Sequence, residues 1–333
     1  MRTEIIGTGS CLPETAVSND ELAQIIDTSD EWIRTRTGIR ERHLAKEETT
    51  VSMCVEAARN ALADAKIEAE EIDLIIVGTV TGDFVTPSTA CLVQAQLGAK
   101  KALAFDINGA CSGFLFAFHI ASAYINTGMC KTALLLGAET LSRIVDWSDR
   151  STCVLFGDGA GAAVVRGITD MNFGEENASV IRSSLPVFDM GCDGEKGMVL
   201  SCRNRMNRNP LVSNPAELDF VYMDGQAVYK FAVSTVPKSI ERALAQAGMT
   251  AKEVAWFVLH QANARILQAV AKRLGQPEEK FPMSLDHCGN ISAASIPILL
   301  DEMNRKGMLK RGQKLVLSGF GGGLTWGTAV LLW

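Results

Sequence analysis

No run of uncharged apolar residues in this chain reaches the roughly 18 to 20 positions that a bilayer-spanning helix requires. The N-terminus, Met1-Arg2-Thr3-Glu4, runs straight into a strand-like Ile5-Ile6-Gly7 with no signal-peptide apolar region. Neither a membrane protein nor a secreted one is expected. Histidine is scarce, with four in 333 residues, and none of the nine cysteines stands in a C-x-x-C pair. An odd cysteine count with so few histidine partners argues against a disulfide framework and against a zinc site. A reduced, cytoplasmic protein without a metal fits instead. Positive charge is not in excess either: the net charge of −6 argues against nonspecific nucleic-acid binding while permitting a local basic patch.

What is present is a large apolar fraction, 47% of side chains, enough to bury a sizeable core in two domains or one duplicated unit. The chain is organised around Asp106-Ile107-Asn108-Gly109-Ala110-Cys111-Ser112-Gly113-Phe114. Leu103 to Ile107 reads as a buried strand, Asn-Gly breaks it, and an almost wholly apolar helix follows from Phe114 to Ile125, closed by Gly128. Cys111 thus sits where a strand turns into a central helix, whose free N–H groups and dipole favour thiolate.

Around this segment the first half predicts a helix over 51–65, a buried strand over 72–77 and a helix bracketed by Pro87 and Gly98. Strands over 132–136 and within 160–165 follow. Thr28 and Glu31 offer a capping box ahead of Trp32. The second half predicts a helix over 226–246, a strand over 255–259, a helix over 263–274, a short strand over 281–285 and a helix over 291–305. Strands over 314–317 and 325–332 complete it. The repeated order implies a duplication, each half a layered α/β unit with the active site where the halves meet. Residues 167 to 222 fit no periodicity, so the expected divisions are an N-terminal half over 1–170, an irregular excursion over 171–222 and a C-terminal half over 223–333. A loop of that length serves as a lid or dimer contact, or is plain surface.

Two further residues join Cys111. His260 stands at the carboxyl end of a buried strand in Val258-Leu259-His260-Gln261-Ala262-Asn263, where α/β sheets gather ligands. Asn290 stands in the turn His287-Cys288-Gly289-Asn290-Ile291-Ser292 ahead of an apolar helix. A thiolate nucleophile with imidazole and carboxamide donors is the set that thioester chemistry needs. His43, His119 and His287 read as structural, and Gly157 to Gly161, lacking a P-loop lysine, reads as close backbone packing.

With these motifs assembled, the sequence resembles β-ketoacyl-acyl-carrier-protein synthase III of type II fatty acid synthesis. The resemblance is carried by Asp27-Thr28-Ser29-Asp30-Glu31-Trp32-Ile33, Arg36 to His43, Ala110-Cys111-Ser112-Gly113-Phe114, Phe156-Gly157-Asp158-Gly159-Ala160-Gly161-Ala162, His260-Gln261-Ala262-Asn263, Gly289 to Ser295 and Phe320-Gly321-Gly322-Gly323. It covers almost the whole chain apart from the excursion. It implies a thiolase fold of two similar α/β halves, usually a homodimer, and a catalytic triad of Cys111, His260 and Asn290.

The implied reaction acylates Cys111 from an acyl-CoA, with the oxyanion held by the N–H groups of Cys111 and Gly322. Malonyl-acyl carrier protein then decarboxylates to give 3-oxoacyl-acyl carrier protein, CO2 and coenzyme A. No cofactor is implied beyond the coenzyme A thioester, which is a substrate. Trp32 and Arg150 would hold the adenine, Arg36 the phosphates with Thr28 nearby, and Gly225 and Asn263 the pantetheine tunnel. Lys230, Arg265, Lys272 and Arg273 would dock the acidic carrier protein. Thr86, where acetyl-restricted members often carry phenylalanine, would leave room for longer acyl chains. A relative using an unusual acyl group in secondary metabolism or signalling, and a carrier-protein-binding paralogue without activity, are the alternative readings.

Overall fold

A computed structural model of the protein describes residues 2–168, 185–203, 211 and 220–333. In chain order its strands are β1 (Arg2–Cys11), β2 (Ala16–Ser18), β3 (Glu41–His43), β4 (Leu74–Gly78), β5 (Leu103–Ile107), β6 (Thr132–Thr140) and β7 (Asp158–Ile168). The second half adds β8 (Val187–Gly197), β9 (Leu200–Ser201), β10 (Tyr222–Met223), β11 (Trp256–Leu259), β12 (Lys314–Gly321) and β13 (Gly323–Leu332). The helices are α1 (Asn19–Leu22), α2 (Asp30–Thr37), α3 (Thr50–Ala65), α4 (Thr89–Leu97), α5 (Gly113–Asn126), α6 (Gly225–Gln246), α7 (Ala264–Leu274), α8 (Leu285–Cys288) and α9 (Ser295–Arg305).

The first sheet has the order β1-β7-β6-β4-β5 and the second β8-β13-β12-β11. In each, two antiparallel pairings lead into a parallel one: β1 with β7, β7 with β6 and β6 with β4, then β8 with β13, β13 with β12 and β12 with β11. The halves are therefore repeats of one plan. β4 and β6 are buried along their whole length, which is why they read as unbroken apolar runs.

The middle layer is α5 with α9. Phe114, Phe118, Ile296, Leu299 and Leu300 form one core with Leu74 and Ile76 of the first sheet and Leu315 and Leu317 of the second. Each such buried Leu or Phe contributes roughly 1.5–3 kcal/mol. α3 covers the outer face of the first sheet and α6 with α7 the outer face of the second. Five layers, αβαβα, result.

Several expectations shift. The cap of α2 is Ser29, whose hydroxyl accepts from Trp32 N at 3.2 Å, and not Thr28, whose buried hydroxyl has no partner. Pro87 lies ahead of the α4 cap Ser88 instead of at the first helical position. No strand forms over 281–285: Phe281 and Leu285 pack into different clusters, and α8 begins at Leu285. The last helix starts at Ser295 after a 3-10 turn at Ser292–Ala294. Most importantly, the range read as an irregular excursion supplies β8, which pairs with β13 from Val187↔Val330 to Gly197↔Gly323. Its glycines and polar residues hide the strand from periodicity. The rest of the excursion, 169–184, 204–210 and 212–219, lies outside the described residues.

Candidate active site

Cys111 lies in a 3-10 turn, Ala110–Ser112, that feeds directly into α5. Ala110 holds a left-handed φ of 44°, a conformation costly for a residue with a Cβ, of order 1–3 kcal/mol. The second half repeats this turn. Ser292 has φ 46°, opens the 3-10 turn Ser292–Ala294 and leads into α9. The side chain two residues before each strained position serves the same purpose: Asn108 Oδ1 accepts from Ala110 N at 3.4 Å, and Asn290 Oδ1 from Ser292 N at 2.9 Å. In this register Cys111 corresponds to Ala293, and Asn290 to Asn108.

The two turns meet. A Cβ added at Gly113 would stand 3.3 Å from Ala293 Cβ, and one at Gly137 of β6 only 2.2 Å from Ala293 O. Asn290 is pinned on both sides of its peptide, its N–H donating to Leu155 O at 2.8 Å and its carbonyl accepting from Gly157 N at 3.0 Å. That assigns a task to the Gly-rich segment at 157–161. A Cβ at Gly157 would fall 2.4 Å from Cys288 O, and one at Gly161 2.6 Å from Ile298 N, so glycine lets the Asn290 turn and α9 seat on β7.

One strand, β12, gathers the other two functional groups. His260 extends β11, donating its N–H to Ser318 O at 2.8 Å, and its ring meets Phe320 edge-on at 5.5 Å between centroids. Gly321, two residues further than that phenyl partner's neighbour Gly319, receives Cys111: a Cβ there would stand 2.7 Å from Cys111 N. Gly322 faces the same turn, 3.6 Å from Ala110 Cβ by the same construction. Thr325 Oγ1 braces the elbow from β13, within hydrogen-bond distance of Gly109 O at 3.3 Å and of Ser112 Oγ at 3.1 Å.

Burial dominates the electrostatics. It pushes the Cys111 thiol up to about 12, with the Glu139 charge adding to the rise and the Ser292 hydroxyl and Cys111's own amide opposing it. The thiolate favoured by the helix N-terminus alone is thus not the resting state. Burial also lowers His260 to about 3, leaving a neutral imidazole. Glu139 on β6 is a fully buried carboxyl, raised to about 7 by desolvation. Sequence reasoning passed over it. The signal was a lone carboxylate in the apolar run Leu134-Leu135-Leu136-Gly137-Ala138-Glu139.

Of the residues expected at the coenzyme A mouth, Trp32, Arg36, Arg150 and Asn263 lie together. The guanidinium carbons of Arg36 and Arg150 lie 4.6 and 5.2 Å from the Trp32 ring centroid. Arg150 Nη1 also donates to Asp27 O at 2.9 Å. Asn263 caps α7, accepting from Arg265 N at 2.8 Å, and donates to Arg36 O at 3.0 Å. Arg265 Nη2 donates to Thr35 O at 2.7 Å, so α7 holds the end of α2 in place. Gly225 opens α6, exposed, and a Cβ there would meet only Met223 Cε at 3.8 Å, so the fold itself does not require glycine. Lys230, Lys272 and Arg273 are exposed. Thr86 is exposed on the loop between β4 and α4, beside the exposed Phe84 and Val85.

The remaining histidines are engaged elsewhere. His43 Nδ1 pairs with Pro13 O at 2.6 Å, and His119 packs on Phe188. His287 meets Asp286 through Nδ1 at 2.9 Å and Glu302 through Nε2 at 2.8 Å. With Cys288 and Glu302 it forms a cluster of ligand-type spacing, its donor atoms within 4.8 Å of one another. Hydrogen bonds to Cys288 and Glu302 raise His287 to about 11, the condition of an ion-paired imidazolium.

Duplicated sheets, a buried cysteine at the head of one central helix and an asparagine at the head of the other define a thiolase-fold condensing enzyme, an acyltransferase. Family models for 3-oxoacyl-[acyl-carrier-protein] synthase III match residues 105–185 and, for its C-terminal part, residues 244–333. The chain is 48% identical to the beta-ketoacyl-[acyl-carrier-protein] synthase III of Clostridium acetobutylicum, over 99% of this chain and 98% of that one. It is 47% identical to the synthase III of Desulfitobacterium hafniense strain Y51, over 99% and 97%. The crystal structure of 3-oxoacyl-[acyl-carrier-protein] synthase III from Aquifex aeolicus superposes with a TM-score of 0.88 at 44% identity, covering 99% of this chain and all of that one. The chain belongs to the 3-oxoacyl-[acyl-carrier-protein] synthase III family.

Proposed function

We propose that the chain initiates fatty acid synthesis by condensing an acyl-CoA with malonyl-acyl carrier protein, and that Cys111, His260 and Asn290 carry the chemistry. The observation that carries the assignment is the meeting of the two strained turns, which sets the Cys111 elbow against the Asn290 turn, with His260 bonded to β12, the strand that backs the elbow. Cys111 takes the acyl group and coenzyme A leaves. The N–H groups of Cys111 and Gly322 hold the oxyanion. Malonyl-acyl carrier protein then loses CO2, and the neutral His260 imidazole and the Asn290 carboxamide donate to the enolate oxygen while its carbon attacks the acyl-cysteine. A neutral imidazole suits this step, because it donates without competing for the proton.

The coenzyme A thioester is a substrate, and no cofactor or metal enters the scheme. Trp32, Arg36, Arg150 and Thr28 form the adenine and phosphate mouth, with Gly225 and Asn263 along the pantetheine arm. Lys230, Arg265, Lys272 and Arg273 form the carrier-protein face. A homodimer is supported by β5, an edge strand with Leu103 exposed, and by the exposed Val80, Phe84 and Val85 on the loop after β4. Among the described residues no helix is long and apolar enough to cross a membrane, and we place the enzyme in the cytoplasm with its carrier protein.

Separating the half-reactions tests the roles. Cys111→Ala should lose acylation by acyl-CoA, whereas Asn290→Ala should acylate at near the normal rate and lose condensation by roughly 100-fold or more. Condensation retained by Cys111→Ala would remove the nucleophile from the scheme.

A further inference from the structure

Arg42 on β3 is fully buried, and among the described residues its guanidinium is partnered by neutral oxygens alone. Nη1 donates to Val17 O at 3.0 Å, and Nη2 donates to Asn19 Oδ1 at 2.8 Å and to Val154 O at 3.0 Å, while Nε is buried without a partner. Burial lowers the guanidinium to about 10, which leaves it charged at neutral pH. A buried cation with no carboxylate beside it is expensive, and an apolar side chain would fill the same space more cheaply. What the guanidinium supplies instead is direction. Its planar fork fixes several acceptors at once, and each charge-assisted bond is stronger than a neutral one.

The Val154 carbonyl is the first link toward the active site. The residues that follow it hold Asn290 on both sides, Leu155 O accepting the Asn290 N–H at 2.8 Å and Gly157 N donating to Asn290 O at 3.0 Å. Phe156 between them bridges to Asn290 in parallel register. The stem of Arg42 lies against the same turn: a Cβ added at Gly289 would stand 3.2 Å from Arg42 Cβ, and one added at Gly157 3.4 Å. In the other direction the fork reaches the coenzyme A mouth. The buried Asn19 accepts from Nη2, and its own Nδ2 donates to Asp30 Oδ1 at 2.9 Å, in the first turn of α2, and to Ile39 O at 2.8 Å, just past the end of that helix. One side chain thus joins the helix that carries Trp32 and Arg36 to the segment that holds Asn290.

We infer that Arg42 is a positioning residue for the condensation step, setting the Asn290 carboxamide through the segment 154–157. The inference rests on the reading of Asn290 as a donor to the enolate. Fully buried, Arg42 acts through that residue and not on substrate. The Cys111 elbow is held by other means, the Thr325 hydroxyl and the close approach of Gly321 to Cys111 N, so acylation does not depend on the fork. Enolate stabilisation does, because a displaced donor loses its alignment with the charge that develops in the transition state.

Arg42→Lys keeps the charge and the stem against Gly157 and Gly289 but cannot hold Val17, Asn19 and Val154 in the directions of the fork. The test compares it with wild type, Asn290→Ala and the Arg42→Lys/Asn290→Ala double variant in two measurements: single-turnover acylation of Cys111 at saturating acetyl-CoA, and condensation of the acyl-enzyme with malonyl-acyl carrier protein. In Arg42→Lys, acylation should stay within about 3-fold of wild type while kcat for condensation falls about 10-fold or more at an unchanged KM for malonyl-acyl carrier protein. Adding Arg42→Lys to Asn290→Ala should cause no further loss, because the residue through which Arg42 acts is already gone. Equal loss in both half-reactions, or losses that multiply in the double variant, would make Arg42 a general structural residue and overturn the inference. If Arg42→Lys does not fold, Asn19→Ala decides: it removes one acceptor of the fork, leaves Val154 in place, and should show the same split at several-fold size, whereas no split would overturn the inference. An Asn290→Ala variant that condenses at the wild-type rate would instead overturn the proposed role of Asn290.

Discussion

At Ala110 and Ser292 the chain makes the same strained turn twice, and only one copy carries a thiol. The repeated position holds Ala293, so the duplication has kept the geometry, with the proposed nucleophile in one copy and the proposed donor, Asn290, in the other. Cys111, His260 and Asn290 were legible in the sequence because each stands where an apolar run is broken by polar or glycine residues. Glu139 was not, since a carboxylate inside a strand gives no periodic signal. Thr86 carries a separate prediction. On the proposal that Thr86 borders the acyl site, a threonine in place of a ring leaves space, and each buried methylene of the primer adds about 0.8 kcal/mol in a dry pocket. Wild type should therefore accept hexanoyl-CoA and decanoyl-CoA, and Thr86→Phe should shift kcat/KM toward acetyl-CoA by at least several-fold. An unchanged profile in the variant would dissociate Thr86 from chain length.

At the scale of elements, helices were read more securely than strands. α3, α5, α6 and α7 each end near a left-handed residue or a glycine, and their apolar positions recur with helical spacing. β8 failed the same reading because Gly191, Cys192, Asp193 and Gly194 do not alternate, and its pairing to β13 supplies what the pattern lacks. The expected strand over 281–285 is the opposite case, a short apolar run that packs without pairing. The α7 face has a consequence for docking. Lys272 is exposed and its ammonium makes no hydrogen bond among the described residues, whereas Arg265 ties α7 to Thr35 at the end of the helix that carries Trp32 and Arg36. Lys272→Glu should raise the KM for malonyl-acyl carrier protein several-fold, more at low salt, and leave the KM for acyl-CoA alone. Arg265→Glu should raise both. Steady-state kinetics with each substrate varied in turn separates the two, and equal effects of both variants on acyl-CoA would contradict this division.

For the whole molecule, the duplicated order of elements was legible, while the fusion of the halves through α5 and α9 into one core required the structure, because it depends on which faces meet. The exposed strand β5 and the apolar loop after β4 predict association between copies. Sedimentation velocity at micromolar concentration should give a species of twice 35.8 kDa, and Val85→Asp should weaken it; a wild-type monomer would contradict that prediction. The central claim is that acyl transfer passes through Cys111. Its most direct test is mass spectrometry of the intact protein and its peptides after exposure to an acyl-CoA, and again after adding malonyl-acyl carrier protein. The account predicts one acyl group per chain on the peptide containing Cys111, discharged by malonyl-acyl carrier protein in wild type and retained in Asn290→Ala. An acyl group on another residue, or product formed with no acyl-enzyme on Cys111, would contradict it.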